Sequence, residues 1–158
     1  MNLTPTRGPG RTRVSRRLEF AISVPEHNWQ PVLDAFINHG IKLPAFCTYS
    51  DGTSSHLLII PSHEARVAPL LATLGLRWQS SPVVFVETGD SVGAPLAQLG
   101  ARLNQAGIEI IYSYASWVAN EGLAAVFKTN DDARAARLLN ELLVPVRPDV
   151  SQSRKVHA

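Results

Sequence analysis

Apolar positions along this chain switch between a period of two and a period of three to four, and the switches mark out its elements. Leu18, Phe20, Ile22 and Val24 alternate with Glu19, Ala21 and Ser23, which predicts a half-buried strand. Pro25 to Asn28 breaks it. Val32, Leu33, Phe36 and Ile37 then form a helical stripe that closes at Gly40, a residue suited to a left-handed C-terminal cap. Ile41 to Tyr49 reads as a second strand, with Pro44 marking an edge or a bulge. Asp51-Gly52 is a hairpin turn signal, and His56 to Ile60 is the returning strand. Val67, Leu70, Leu71 and Leu74, at i, i+3, i+4 and i+7, stripe a second helix. Gly75 ends that helix, and Leu76 to Ser81 can supply a last strand.

The same order then returns. Val83 to Glu87 predicts a strand, Thr88 to Gly93 a loop, and Leu96, Leu99 and Leu103 a helix ending at Gly107. Ile108, Ile110, Tyr112 and Tyr114 alternate along a strand, with Glu109 and Ser113 on its other face, and Leu123 to Lys128 pairs back. Ala135, Leu138, Leu139 and Leu142 carry the last helical stripe, leaving only Val144 to Arg147 for a short or missing final strand. The repetition extends to residues. Ala65-Arg66-x-Ala68-x-Leu70-Leu71-x-x-Leu74 recurs as Ala133-Arg134-x-Ala136-x-Leu138-Leu139-x-x-Leu142, and Gly40-Ile41 recurs as Gly107-Ile108. Two anchors in the same order at nearly equal offsets indicate duplication of a compact unit rather than a solenoid.

Strand–helix–hairpin–helix–strand is the split βαβ, ferredoxin-like arrangement. The expected fold class is therefore α+β: two ferredoxin-like βαββαβ repeats with antiparallel sheets and helices on one face. The expected domains are residues 18–81 and 82–147, flanked by a basic disordered tail over 1–17 and a flexible tail over 148–158. The other sheet face needs cover or solvent, and a shared or packed pair of sheets, with a homodimer expected, would provide cover.

Charge changes the picture only when it is divided. The net +2 rests on Arg7, Arg11, Arg13, Arg16 and Arg17, with no acid among residues 1–17. The remainder carries ten basic and thirteen acidic residues, a net of −3. An acidic body lacks the electrostatic footprint of a nucleic-acid binder. Phe20, Phe85, Tyr112, Tyr114 and Phe127 are the aromatics that an RNA-binding sheet would need. No apolar run approaches a membrane span, no secretory signal is legible, and one cysteine, Cys47, fits a reducing compartment. A cytoplasmic location is expected.

Candidate chemistry is sparse. His27, His39, His56, His63 and His157 form no metal-ligand spacing, and Ser91 and Ser113 lie in no G-x-S-x-G elbow. No catalytic residue, metal or cofactor is expected. What remains is the strand-to-helix loop of each half, Glu26 to Trp29 and Thr88 to Ala94. A helix N-terminus offers free N–H groups to a small carboxylate, and Asp90 beside it could receive an ammonium. Plain capping by Asn28 or Asp90 is the alternative.

At these residues the chain resembles a known family. Val83 to Leu143, with Ala106-Gly107-Ile108-Glu109-Ile110, Tyr112-x-Tyr114 and Asn130-Asp131-Asp132-Ala133-Arg134, looks like an ACT domain. The chain over 18–147 is similar to small standalone proteins made of two tandem ACT domains. The resemblance implies a non-catalytic regulatory or sensor protein that binds a small amino acid or similar metabolite. Carried over, the ligand residues are Asp90, Ser91, Val92, Gly93 and Ala94, with Ile108, Ile110 and Tyr112 on the facing strand. His27, Asn28 and Trp29 occupy the equivalent loop of the first half. The second loop lacks the family's Pro-Gly pair, and the first has no glycine. A module that docks to and regulates a partner protein, without a small ligand, is the alternative.

Overall fold

The computed structural model describes residues 12–88, 94–118 and 122–143. Six strands form one antiparallel sheet: β1 (Arg13–Val24), β2 (Ala45–Ser50), β3 (Ser55–Ile60), β4 (Arg77–Thr88), β5 (Ile110–Val118) and β6 (Gly122–Thr129). Four helices, α1 (Gln30–Asn38), α2 (Val67–Thr73), α3 (Ala94–Gln105) and α4 (Asp132–Leu143), connect or follow them. The sheet order is β2-β3-β1-β4-β6-β5, symmetric about the central β1–β4 pair. Each half runs strand, helix, hairpin, helix. The fold class is α+β, as expected.

The centre of the sheet departs from the expected domains. β1 begins at Arg13, inside the expected disordered tail, and pairs with β4 from Arg13↔Glu87 to Ser23↔Arg77. The tail reading failed because a basic stretch with one apolar residue carries no burial signal of its own; it is strand because β4 offers it a ladder. Val14 packs on the core of the second half. Arg17 is held too: its guanidinium donates to the Pro61 carbonyl at 2.5 Å, pairs with Glu64 at 3.3 Å and lies 5.4 Å from the Phe85 ring centre. The strands expected at 76–81 and 83–87 are one strand, β4, and the 81/82 boundary falls within it. Pro82, the apparent break, sits opposite Leu18 in the continuous ladder. β4 thus closes the first half and opens the second, while the first residues of β1 lie where a closing strand of the second half would lie. The alternative strand at Val144 to Arg147 lies outside the described residues.

Helix stripes build two cores on one face. Phe20, Ile22, Val24, Leu57 and Ile59 meet Val32 and Phe36 of α1 and Val67, Leu70 and Leu71 of α2. Val84, Val86, Ala125 and Phe127 meet Leu99 and Leu103 of α3 and Ala135, Ala136 and Leu139 of α4. Stripe ends behave differently: Ile37 is 69% exposed, and Leu74 and Leu142 are also largely outside the cores. Gly40 caps α1 at φ +67°, as its left-handed role predicts.

The helix-free face is covered by curling of the sheet. The edge strands β2 and β5 approach each other, and the Ser116 hydroxyl lies 3.5 Å from the Phe46 carbonyl. Ala45, Ile60, Val83, Phe85, Ala124 and Val126 form a third core inside the curl. Strand twist, increased by a bulge in β5, drives such closure. Part of the cover for that face thus comes from within one chain, while Phe46, Ile111 and Trp117 of the edge strands stay exposed.

Candidate functional site

Alternation along β1 sends Phe20 and Ile22 to the helices, and Glu19 and Ala21 to the concave, helix-free face. From the sequence that face needed cover or solvent. Glu19 is only 2% exposed, because the curl carries β5 over it.

β5 delivers its side chains through an irregularity. Ile110 pairs with Thr129 and Tyr112 with Lys128, so Ile111 is an extra residue on β5. The expected common face of Ile108, Ile110, Tyr112 and Tyr114 is therefore split. Ile108 is buried in the second helix-side core and Ile110 packs on it, whereas Tyr112 and Tyr114 turn onto the concave face. A bulge reverses the alternation from that point onward. Both tyrosine hydroxyls donate to Glu19: Tyr112 to Oε1, and Tyr114 to Oε2 at 2.7 Å. Burial, reinforced by the carboxylate, pushes both phenols well above the usual value of 10.

Around this triad lies a cavity of about 540 Å³, within the range of small-molecule sites. Ala21, Cys47, Tyr49, Leu58, Gln79 and Lys128 are among its walls. Burial is the main influence raising the Cys47 thiol, with Glu19 adding to it. Lys128 is anchored elsewhere, donating to Asp132 Oδ2 at 2.8 Å and to the Pro82 carbonyl at 2.7 Å. Asp132 is pulled upward by burial, yet Lys128 and the N–H and hydroxyl of Thr129 outweigh this and lower its pKa. Among the described residues no three His, Cys, Asp or Glu side chains converge on a metal-sized site.

The sequence-predicted site residues fall in three places. Asp90, Ser91, Val92 and Gly93 lie outside the described residues, and Ala94 opens α3. His27, Asn28 and Trp29 form the turn before α1. There Glu26 and His27 both take φ +57°, a left-handed conformation costly for residues with a side chain. His27 Nδ1 lies 2.7 Å from the Ser55 hydroxyl, Asn28 is exposed, and Trp29 packs against the first core. Of the expected ligand residues Ile108, Ile110 and Tyr112, only Tyr112 lines this cavity. Glu19 and Tyr114 were not among the expected ligand residues; the one legible signal is an acid amid the small residues of the β1 polar face. Of the aromatics that RNA recognition would need, Phe20, Phe85 and Phe127 are buried.

No protein-family model matches the chain, and no curated protein matches it in sequence. Solved structures do match in shape. A Bacteroides thetaiotaomicron protein is 20% identical, with TM-score 0.66, over 84% of this chain and 90% of its own. A chain of the aspartokinase alpha and beta subunits is 15% identical, with TM-score 0.54, over 85% and 97%. The ligand-free regulatory subunit of aspartate kinase from Thermus thermophilus is 14% identical, with TM-score 0.53, over 82% and 96%. Likeness at this identity is a likeness of fold, and the fold is ACT-like.

Proposed function

We propose that this chain is a non-catalytic regulatory module of two ACT-like halves, binding a small amino acid or similar metabolite where each half's first strand enters its first helix. The observation that carries the reading is the extent of the likeness, which takes in 96% of a chain that is a regulatory subunit. The symmetric sheet order and the repeated helix residues support duplication. In the first half, the left-handed turn at Glu26 and His27 supports a loop shaped for more than chain reversal, since such strain concentrates at ligand sites.

The test is thermal unfolding of the purified chain against the twenty amino acids. A ligand at a hundredfold excess over its dissociation constant stabilises by about 2.7 kcal/mol. For a chain of this length that raises the midpoint by about 5–10 °C. The rise should shrink in Gly93→Trp, which alters the loop of the second half alone. If no amino acid shifts the midpoint at millimolar concentration, the small-ligand reading fails and partner docking takes its place. Docking has its own support in Trp117, 54% exposed on the edge strand β5.

A further inference from the structure

We propose that the cavity on the concave face is a second ligand site, taking a small protonated amine with an apolar body whose ammonium group sits on Glu19. This goes beyond binding at the strand–helix loops: the cavity is walled by mid-strand residues, includes Tyr112 of the expected facing strand, and does not include His27, Asn28 or Trp29.

Glu19 is the anchor. Its carboxylate offers about four lone-pair sites, and two tyrosine hydroxyls occupy one on each oxygen. Acceptor capacity remains on the cavity side. Among the described residues no cation lies within 4.0 Å of it. The nearby cations are committed: Arg17, two residues earlier in β1, holds Pro61 and Glu64, and Lys128 holds Asp132 and Pro82. A carboxylate in so dry a setting, with neutral donors alone, attracts a cation far more strongly than one in water.

The walls decide which cation. Ala21, Leu58, Cys47 and the rings of Tyr49, Tyr112 and Tyr114 offer apolar and aromatic surface. A single acid suits the three donors of one ammonium group better than a divalent ion, which requires several hard oxygen ligands. Aromatic faces also favour an organic cation. The volume admits a molecule of amino-acid size with room for a ring.

Cys47 is the chain's one cysteine and lines the cavity, so its alkylation reports occupancy. The experiment measures the rate of N-ethylmaleimide labelling of the full chain with 2-phenylethylamine hydrochloride, with neutral 2-phenylethanol, and with phenylalanine. The amine should slow labelling in a saturable way, and the alcohol should bind about tenfold more weakly or worse, having lost the charged contact. Glu19→Gln, checked for folding by circular dichroism, should weaken the amine by a similar factor. The two-ligand comparison stands even if that variant does not fold. Protection by phenylalanine equal to the amine assigns the site to amino acids; weaker protection assigns it to amines without a carboxylate. No protection by the amine at millimolar concentration, or equal protection by the alcohol, overturns the proposal. An amino acid that raises the melting midpoint, with no protection of Cys47 by the amine, leaves the loop-binding function standing while removing this site.

Discussion

Tyr114→Phe removes one hydroxyl from the buried carboxylate and little else. The ring that packs on the third core is retained, so no sizeable cavity is created. What is lost is the 2.7 Å hydrogen bond to Glu19 Oε2, made across the concave face from an edge strand to a central one. A hydrogen bond to a charged group contributes about 1.5–3 kcal/mol net. Tyr112 still donates to the other oxygen, so Glu19 is not stripped bare, and the lower half of that range applies: about 2 kcal/mol. The assay is equilibrium urea unfolding at neutral pH, followed by tryptophan fluorescence and extrapolated linearly to water. Repeating the substitution in a Glu19→Gln background completes a double-mutant cycle. Members of one network couple by about 0.5–3 kcal/mol, so most of the loss should disappear there. A loss below about 0.5 kcal/mol, or one undiminished in that background, would refute the claim that hydroxyl–carboxylate contact holds β5 over β1.

Two other outcomes follow from the same structure. Burial first, and then Glu19, keep the Tyr112 and Tyr114 hydroxyls protonated above the usual phenol value of 10, whereas the unfolded chain ionises there. The unfolded state then binds fewer protons, so this stabilisation is complete below about pH 10 and is lost as pH rises beyond it, by up to about 1.4 kcal/mol per unit per tyrosine. Urea unfolding at about pH 9 and pH 11 measures it, and the double Phe variant should show a shallower fall. Deleting residues 1–17 strips β4 of its β1 ladder from Val83 to Glu87, leaving β6 on its other side, and removes Val14 from the second core, so cooperative unfolding should weaken or vanish. Val14→Asp offers a milder check, costing about 2 kcal/mol for a carboxyl facing apolar surface; an unchanged midpoint in both would return Arg13–Arg17 to a solvated tail.

Element types were legible because they are local properties. The i, i+3, i+4 spacing of Val67, Leu70 and Leu71 and the alternation of Phe20, Ile22 and Val24 name a helix face and a strand face in any fold that buries them, and all six are buried against one another. Gly40 at the end of α1 was readable for the same reason. Of the concave site, Tyr112 was named from the sequence, but for a strand facing a loop. Its true partner, Glu19, lies 93 residues away along the chain.

Other features depended on what distant segments brought alongside. Arg13 to Arg17 became strand because β4 lay open beside it, and Pro82 failed to end a strand because Leu18 continued the ladder on its far side. One inserted residue, Ile111, returned Tyr112 and Tyr114 to the face opposite Ile110, and alternation in sequence carries no record of a partner's register. Local pattern thus determined which residues of this chain form helices and strands. Which polar face is dry, and so where a carboxylate stands ready for a ligand, was decided when the sheet curled and closed over Glu19, because burial is a property of the whole surface rather than of any segment.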